Sequence, residues 1–414
     1  METSVVRGVE RQVESVWVRQ RVAVCMLAVT ALGAILRFVG ATANGYNLDE
    51  VWSIWIGRQN VPDMVGNFLF NNVDYTPPTY YAMLHPFLLL SQDYLVVRLI
   101  SIVAGTLVVF FTFKLALLLF DLRIATLSAF LMAIAPFHIE YSQVARSYML
   151  TALFALLSLY FFAKVLFRGG GRWNWTGLVA CSAFMLYTHY LAVFVVLFEN
   201  GFIAVLWLRR TMPAGMGRRW VQSQAALVLA ALPLAGTSLF MLTHMKPGRG
   251  LAWLPKPDVQ SLIKSAILFT TGDPSYGPTG VTIPRLFSLL LIVSITLLGV
   301  LLIAGYVKRR QSKEVQKALL LAGAVLVPIA VAFVVSQVRS VYNEKYLLMV
   351  MPPLMILIAW ILLRSRQILV AAGLTAILIG ITSCRPSSTT LRPPASSGER
   401  QSPTCIRSTS LASW

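Results

Sequence analysis

The sequence predicts an all-α protein that crosses a membrane many times. Of its 414 residues, 57% are hydrophobic and only 12% are charged, and the apolar residues form long uninterrupted runs. Because an unpaired backbone group is costly in hydrocarbon, each run of membrane length must form a helix. There are about eleven such runs, at approximately residues 22–43, 97–120, 124–140, 147–167, 173–188, 190–208, 221–243, 284–306, 318–337, 346–363 and 367–382.

The two ends of the chain differ from this helical region. Residues 1–21 contain four arginines and three glutamates and lack the small-residue cleavage site of a secretory signal. We therefore expect a cytoplasmic N-terminal segment followed by a retained anchor. Residues 383–414 are rich in Ser, Thr, Pro and Arg, and we expect this low-complexity tail to be disordered. Residues 22–382 form the predicted transmembrane domain.

The net charge of +19 would suggest nucleic-acid binding in a soluble chain, but here the cations lie in short loops between apolar runs. Cytoplasmic loops of membrane proteins carry such an excess of Lys and Arg, so we expect no nucleic-acid partner. The loops that are cytoplasmic by this rule contain Arg123, Arg168, Arg172, Arg209, Arg210, Arg218, Arg219, Lys308, Arg309, Arg310, Arg364 and Arg366.

The opposite loops include two long ones, residues 44–96 and 244–283. Most acidic residues and all four histidines map to this outer side, so we predict that the functional surface lies outside the cytoplasm. The outer loops also hold apolar stretches that are too short to span a membrane. We predict that these form helices along its surface, at residues 51–56, 65–70, 79–90 and 259–271.

The most prominent local motif is Asn47-Leu48-Asp49-Glu50, directly after the first span. Adjacent carboxylates at a membrane boundary are costly unless they are solvated or used, and such a pair could remove a proton or bind a cation. Alternatively, Asp49 and Glu50 are two solvated residues at a helix start, where the helix dipole favours them. The motif alone does not decide between these interpretations.

A second cluster runs from Asp74 to Tyr81, with Pro77 and Pro78 at its centre. The prolines fix a turn and start a helix, and this turn could hold Asp74 opposite the first acidic pair. An ordinary interfacial helix with a belt of aromatic residues would produce the same pattern, so the cluster alone favours that simpler interpretation.

Six motifs occur in one order along the chain, and all of them map to the predicted outer side. Together they resemble the bacterial branch of the protein O-mannosyltransferase and aminoarabinose transferase superfamily, whose members have the GT-C fold. The resemblance covers residues 22 to about 382. The motifs are Leu48-Asp49-Glu50-Val51-Trp52-Ser53, Asp74-x-Thr76-Pro77-Pro78-x-Tyr80-Tyr81, Arg98-Leu99, the segment from Pro136 to Tyr148, Tyr187-Thr188-His189-Tyr190 and Lys345-Tyr346-Leu347-Leu348.

This resemblance implies an inverting glycosyltransferase in the bacterial inner membrane, with its active site on the extracytoplasmic side. The donor would be a polyprenyl phosphate that carries a hexose such as mannose, and the acceptor would be a glycan, a lipid or a protein. In this family, catalysis takes place in a cavity under the first outer loop, which the lipid donor enters from the membrane.

The resemblance also implies roles for individual residues. Asp49 would be the general base that takes the proton from the acceptor hydroxyl, and cationic side chains would hold the donor phosphate. Snorkelling to the headgroups is the alternative for Arg98 and Arg146. The implied site residues are Asp49, Glu50 and Asp74 for catalysis, Arg98, Arg146 and Lys345 for the donor phosphate, and His189, Tyr190 and Tyr346 for the substrate.

Three positions depart from the family pattern. Lys345 stands where an arginine is expected, Val144 where a glutamate is common, and Thr76 where many relatives have a histidine. The last two departures remove candidate metal ligands, so a requirement for a divalent cation is left open. The conceivable ligands that remain are Glu50, Asp74 and His138.

Two other functions are compatible with this sequence. A transporter or flippase of lipid-linked sugars would also have many spans, but the chain has no internal repeat and no broken helices in matching halves. A noncatalytic assembly subunit with the same fold is the second alternative, and the absent acid at Val144 favours it. The carboxylates of Asp49, Glu50 and Asp74 favour the enzyme.

Overall fold

The structure is a computed structural model, and it describes residues 2–68, 76–244, 254–272 and 312–364 together with positions 300 and 304. Short 3₁₀ segments at Tyr190–Ala192 and Glu344–Val350 precede two of the helices. In chain order the helices are α1 (Glu2–Phe38), α2 (Leu48–Gly57), α3 (Val61–Gly66), α4 (Thr79–Leu90), α5 (Tyr94–Leu119), α6 (Leu122–Ile134), α7 (Pro136–Ser142), α8 (Tyr148–Phe167), α9 (Arg172–Thr188), α10 (Val193–Leu208), α11 (Met216–His244), α12 (Val259–Thr271), α13 (Ser312–Val338) and α14 (Met351–Arg364).

The all-α prediction is confirmed, since the described residues form helices and no strand. Six of the described helices are long and apolar enough to cross a membrane, or seven if α6 and α7 are counted as one bent span. The chain is therefore a polytopic membrane protein. The predicted count of about eleven spans is not confirmed. The predicted spans 284–306 and 367–382 and the tail 383–414 lie outside the described residues, apart from positions 300 and 304.

Helix α5 lies at the centre of the described bundle, where it packs against α1, α6 and α8. Its residues Val108, Phe113 and Leu115 are completely buried. Lipid tails are as apolar as these side chains, so close packing rather than transfer out of water holds such helices together. Gly105 illustrates this, because a Cβ at this position would collide with Oγ of Ser142 in α7.

The predicted span 124–140 is not a single straight helix. It is divided into α6 and α7, which meet at an angle of 60°. The cause is Pro136, because a proline disfavours the helical conformation of the residue before it. Ala135 is accordingly extended, with φ −61° and ψ 112°. After the bend, α7 leads into the segment that carries Arg146 and Tyr148.

Arg37 binds the backbone carbonyls at the end of α6, which have no partner within the helix because of this bend. Its buried guanidinium donates to the backbone carbonyls of Gly33 at 2.8 Å, Met132 at 3.1 Å and Ala133 at 3.2 Å. Its Nη2 also lies 2.8 Å from Nδ1 of His138. Carbonyls in the last turn of a helix have no partner within that helix. Arg37 therefore supplies their donors and joins α1 to both α6 and α7.

Three short helices, α2, α3 and α4, follow α1 in the predicted outer loop, and none is long enough to span a membrane. The predicted helices 79–90 and 259–271 are confirmed with these bounds as α4 and α12. Helix α2 begins with a capping box: Oδ1 of Asn47 accepts from the Glu50 N–H at 2.9 Å, and the Asn47 N–H donates to Glu50 Oε2 at 3.1 Å. This cap fixes the first turn of α2, which carries Asp49.

Replacing Arg37 with methionine is expected to destabilise the protein by roughly 3 kcal/mol, because three carbonyls and a histidine lose a buried charged donor. The measurement is the free energy of SDS-induced unfolding in mixed micelles. Arg19→Met is the matched control, since Arg19 is an exposed arginine in the same helix. Equal effects of the two substitutions would show that Arg37 does not join α1 to α6.

Candidate active site

The carboxylate of Asp49, in the first turn of α2, is paired with Lys345. Lys345 Nζ lies 2.7 Å from Asp49 Oδ2, although 296 residues separate the two in the chain. The hydroxyl of Tyr148, at the start of α8, donates to the same oxygen at 3.0 Å. The side chain of Asp49 is 35% exposed and that of Lys345 is 14% exposed, so a substrate can reach the carboxylate.

Opposing effects act on the pKa of Asp49. Burial raises it, whereas the hydrogen bond and the charge of Lys345, the charge of Arg146 and the hydrogen bond from Tyr148 lower it. The lowering effects are larger, so the pKa of Asp49 lies below the ordinary value of an aspartate. Asp49 is therefore ionised at neutral pH, which is the state that a general base requires.

Aromatic rings surround the Asp49–Lys345 ion pair. The ring of Tyr346 lies 5.8 Å from that of Tyr148 and 4.9 Å from that of His189, between centroids. Lys345 Nζ lies 5.4 Å from the Tyr148 ring centroid and 5.7 Å from that of Tyr346, so cation–π attraction helps to hold the ammonium in place. The rings give the site apolar faces beside two opposite charges, which suits a ligand ring of mixed polarity.

Arg146 provides a second cation near Asp49. It lies between α7 and α8, and its Nη1 donates to the hydroxyl of Tyr81 at 2.5 Å and to Oγ of Ser53 at 3.4 Å. Its charge acts on the pKa of both Asp49 and His189. Arg146 and Lys345 thus place two positive charges around one carboxylate, and this arrangement can accept a further anion.

Arg98, the third cation that the sequence assigned to the donor phosphate, is occupied by other groups. Its Nε and Nη2 each donate to the Glu50 carboxylate at 2.7 Å. Its Nη1 donates to the carbonyls of Ala41 at 2.6 Å and Asn44 at 3.2 Å, and Nη2 also donates to the carbonyl of Gly45 at 3.1 Å. All five N–H groups of the guanidinium therefore have an acceptor, so binding a phosphate would require some of these bonds to break.

Glu50 is equally saturated. Besides Arg98, its Oε1 accepts from the backbone N–H of Ala145 at 3.0 Å and its Oε2 from that of Asn47 at 3.1 Å. The side chains of Arg98 and Glu50 are only 3% and 1% exposed. This pair, which we call the Glu50–Arg98 clamp, joins α2 to α5 and to the segment that precedes α8. It lies directly beneath the turn that presents Asp49.

His189 contacts the aromatic rings of the site as a neutral imidazole. Burial, with the nearby charges of Arg146 and Lys345, lowers the pKa of His189 to about 3. Its Nδ1 accepts a hydrogen bond from the Leu191 N–H at 3.2 Å, which assigns the ring proton to Nε2. A neutral imidazole can donate to a sugar oxygen but does not add positive charge for a phosphate.

The remaining predicted site residues have different positions. Tyr346 belongs to the ring cluster around the ion pair, whereas the ring of Tyr190 lies against Phe68, with centroids 6.3 Å apart. Asp74 lies outside the described residues, so its catalytic role stays a prediction.

Two site residues were not assigned a role from the sequence. Tyr148 holds Asp49 by a hydrogen bond, and Tyr81 holds Arg146. Both lie within the motifs that carry the family resemblance. A tyrosine at the membrane surface, at the outer end of a span or in an interfacial helix, can reach polar groups with its hydroxyl, and this was the signal that could have identified them.

The described residues do not form a metal site. Among them, no three His, Cys, Asp or Glu side chains lie close enough to hold an ion. Of the three conceivable ligands, the Glu50 carboxylate is occupied by Arg98, and Asp74 lies outside the described residues.

Known proteins resemble both the sequence and the structure. The family of dolichyl-phosphate-mannose-protein mannosyltransferases matches residues 75–241. No curated protein matches the chain in sequence. The crystal structure of ArnT from Cupriavidus metallidurans in the apo state is 15% identical, with a TM-score of 0.57 over 86% of this chain and 62% of that one. The crystal structure of ArnT from the same organism bound to undecaprenyl phosphate is 16% identical, with a TM-score of 0.56 over 86% of this chain and 63% of that one.

The chain has the GT-C fold. The apo oligosaccharyltransferase of Archaeoglobus fulgidus is a more distant example, with 13% identity and a TM-score of 0.53 over 88% of this chain and 54% of that one. The GT-C resemblance inferred from the six motifs is confirmed. The chain spans about 62% of the length of ArnT, and at these identities the likeness establishes the fold rather than the activity.

A double-mutant cycle tests the Glu50–Arg98 clamp of this GT-C chain. Removing one partner, by Glu50→Gln or Arg98→Met, is expected to destabilise the protein by about 3–5 kcal/mol, because a buried charge is left unpaired. The double substitution should cost clearly less than the sum of the two. Unfolding in SDS measures all four proteins, and additive effects would contradict the clamp.

Proposed function

We propose that this chain is an inverting glycosyltransferase that moves one sugar from a polyprenyl-phosphate donor to an acceptor outside the cytoplasm. The supporting observation is the partly exposed carboxylate of Asp49, which is paired with Lys345 and lies near the charge of Arg146 and a group of aromatic rings. The likeness to ArnT, which has been crystallised with undecaprenyl phosphate, supports a lipid-linked donor.

In the proposed reaction, the oxygen of the acceptor hydroxyl attacks the anomeric carbon, and Asp49 takes the proton from that hydroxyl. The bond between that carbon and the phosphate oxygen breaks on the opposite face, so the configuration inverts. Positive charge develops on the sugar ring, and negative charge develops on the departing polyprenyl phosphate. Lys345 and Arg146 would stabilise the phosphate, and the Asp49 carboxylate would stabilise the cationic sugar until it takes the proton.

In this proposal, the Asp49–Lys345 ion pair is present in the enzyme before the donor binds. A phosphate that enters the site competes with Asp49 for the Lys345 ammonium, which is a mobile point charge on a flexible stem. When Lys345 moves to the phosphate, Asp49 loses its strongest hydrogen bond and becomes a better base. Donor binding would in this way prepare the carboxylate for proton transfer.

An apolar groove of about 540 Å³ between α12, α13 and α14 supports a lipid donor. Its lining is formed by residues such as Phe269, Val325, Phe333 and Ile358. In this groove, Oγ of Ser265 lies 2.7 Å from the hydroxyl of Tyr342. Tyr342 comes just before the segment that carries Lys345. We propose that the isoprenoid chain lies in this groove, with its phosphate directed toward Lys345.

The other predicted site residues take separate roles in this proposal. Glu50 and Arg98 position Asp49 through the clamp rather than contacting the donor. His189 and Tyr346 contact the sugar. Asp74 and Tyr190 keep their predicted catalytic and substrate-binding roles as proposals.

The proposed location is the bacterial inner membrane, with the site on the extracytoplasmic side. Support comes from the direction of the helices that lead away from Asp49. Three of them end beside Arg168, Arg209 and Arg364, so these cations lie at the opposite end of the bundle. An excess of arginine and lysine marks the cytoplasmic end.

Asp49→Asn is expected to lower transfer from radiolabelled polyprenyl-phosphate mannose by about 10²- to 10⁴-fold, because the amide cannot accept the proton. The protein is reconstituted in liposomes, and release of labelled sugar from the lipid is measured. Asp63→Asn is the matched control, since Asp63 is an exposed aspartate in the same outer loop. Full activity of Asp49→Asn would contradict the proposed base. Lipid movement across the bilayer without sugar release would instead indicate a flippase.

Lys345→Gln is expected to raise the KM for the donor and to move the acidic limb of the kcat/KM profile to higher pH. Asp49 must be ionised to act, and its pKa, now lowered by Lys345, rises when the ammonium is removed. Lys345→Arg should keep the limb near that of the unmutated enzyme. Lys264→Gln, which removes an exposed lysine that is paired with Glu344, is the control. An unmoved limb in Lys345→Gln would exclude coupling between Lys345 and the base.

A further inference from the structure

A cavity of about 410 Å³ lies at the end of the bundle that is remote from Asp49. It is formed where α5, α8 and α10 end and α13 begins. Helix α8 starts at the candidate active site and has 20 residues, so the cavity lies roughly 30 Å from that site at a rise of 1.5 Å per residue. This distance corresponds to the hydrocarbon thickness of a bilayer. The cavity is therefore at the level of the lipid headgroups on the other face.

The lining of the cavity combines cations with an apolar wall. Arg168, Lys313 and Lys317 contribute three positive charges, and Gln316 and Thr211 add polar groups. No carboxylate is among the described residues that line it. The apolar wall consists of Leu118, Leu166, Phe167, Phe202 and Leu206, with Pro213.

The carboxylates near this end are already paired with a different cation. Glu314 Oε1 accepts from Arg364 Nε at 3.0 Å, and Asp121 Oδ2 accepts from Arg364 Nη2 at 2.9 Å. Within the part of the chain that the structure describes, neither Arg168 nor the two cavity lysines forms a salt bridge. The charge of Glu314 acts on Lys317, but the three cations that line the cavity outnumber this one carboxylate, so the cavity carries excess positive charge at a membrane boundary.

We propose that this cavity binds the headgroup of an anionic phospholipid. The phosphate would lie among the three cations, and the acyl chains would continue along the leucine and phenylalanine wall into the bilayer. Basic pockets between transmembrane helices at the cytoplasmic level are suited to such headgroups. The bound lipid would connect the ends of α8, α10 and α13 without taking part in sugar transfer, so this proposal is independent of the proposed activity.

Lipid binding to the purified full-length protein tests the proposal. Native mass spectrometry measures the affinity for phosphatidylglycerol and for zwitterionic phosphatidylcholine. The unmutated protein is expected to prefer phosphatidylglycerol. Lys313→Gln combined with Lys317→Gln should weaken phosphatidylglycerol binding by about 25-fold, because each cation near a membrane surface contributes about fivefold.

Two further variants separate this site from general surface charge. Arg123→Gln with Arg218→Gln removes the same charge from exposed arginines outside the cavity and should leave the preference unchanged. Lys313→Arg with Lys317→Arg should retain it, which also shows that the cavity tolerates substitution. Equal losses in the cavity and control variants would overturn the proposal. Competition by free glycerol phosphate as effective as that by the lipid would also overturn it, because the site would then recognise a soluble anion.

Discussion

The need to pair charges at a membrane boundary determines how this protein is built around α2. Two adjacent carboxylates in its first turn form ion pairs that differ in their exposure. Glu50 is bound to Arg98 with almost no exposure, whereas Asp49 is bound to Lys345 with about a third of its side chain exposed. The buried pair fixes the turn, and the partly exposed pair provides a charge that can change partner. The geometry of the candidate site depends on this division.

The different burial of the two ion pairs explains why they can differ in function. Breaking a buried ion pair on one side costs about 3–5 kcal/mol, so the Glu50–Arg98 clamp is expected to persist whatever binds above it. The Asp49–Lys345 pair is partly exposed, so a phosphate that enters the site brings its own negative charge and can replace Asp49 as the partner of Lys345. Arg146, the neutral His189 and the ring of Tyr346 then remain in place around the exchange.

Much of this organisation could be predicted from the sequence, because apolar runs set the spans and Pro77-Pro78 sets the start of α4. Motifs that are predicted to share one membrane face can be expected to lie close together, and Asp49 and Lys345 do meet although 296 residues separate them. The partners of individual charges could not be predicted in this way. Arg98 lies within a resembling motif but is saturated by Glu50 and three carbonyls, and Arg37 binds carbonyls that a bend at Pro136 exposes. Both pairings arise from tertiary packing, which periodicity does not encode.

The most direct test of this account is a structure of the reconstituted protein with a phosphonate analogue of a polyprenyl-phosphate sugar, in which the scissile oxygen is replaced by carbon. The account predicts that the phosphonate lies within salt-bridge distance of Lys345 and Arg146, that Asp49 is released from Lys345, and that Arg98 still holds Glu50. A phosphonate bound by Arg98, with Glu50 released and Lys345 still on Asp49, would contradict it.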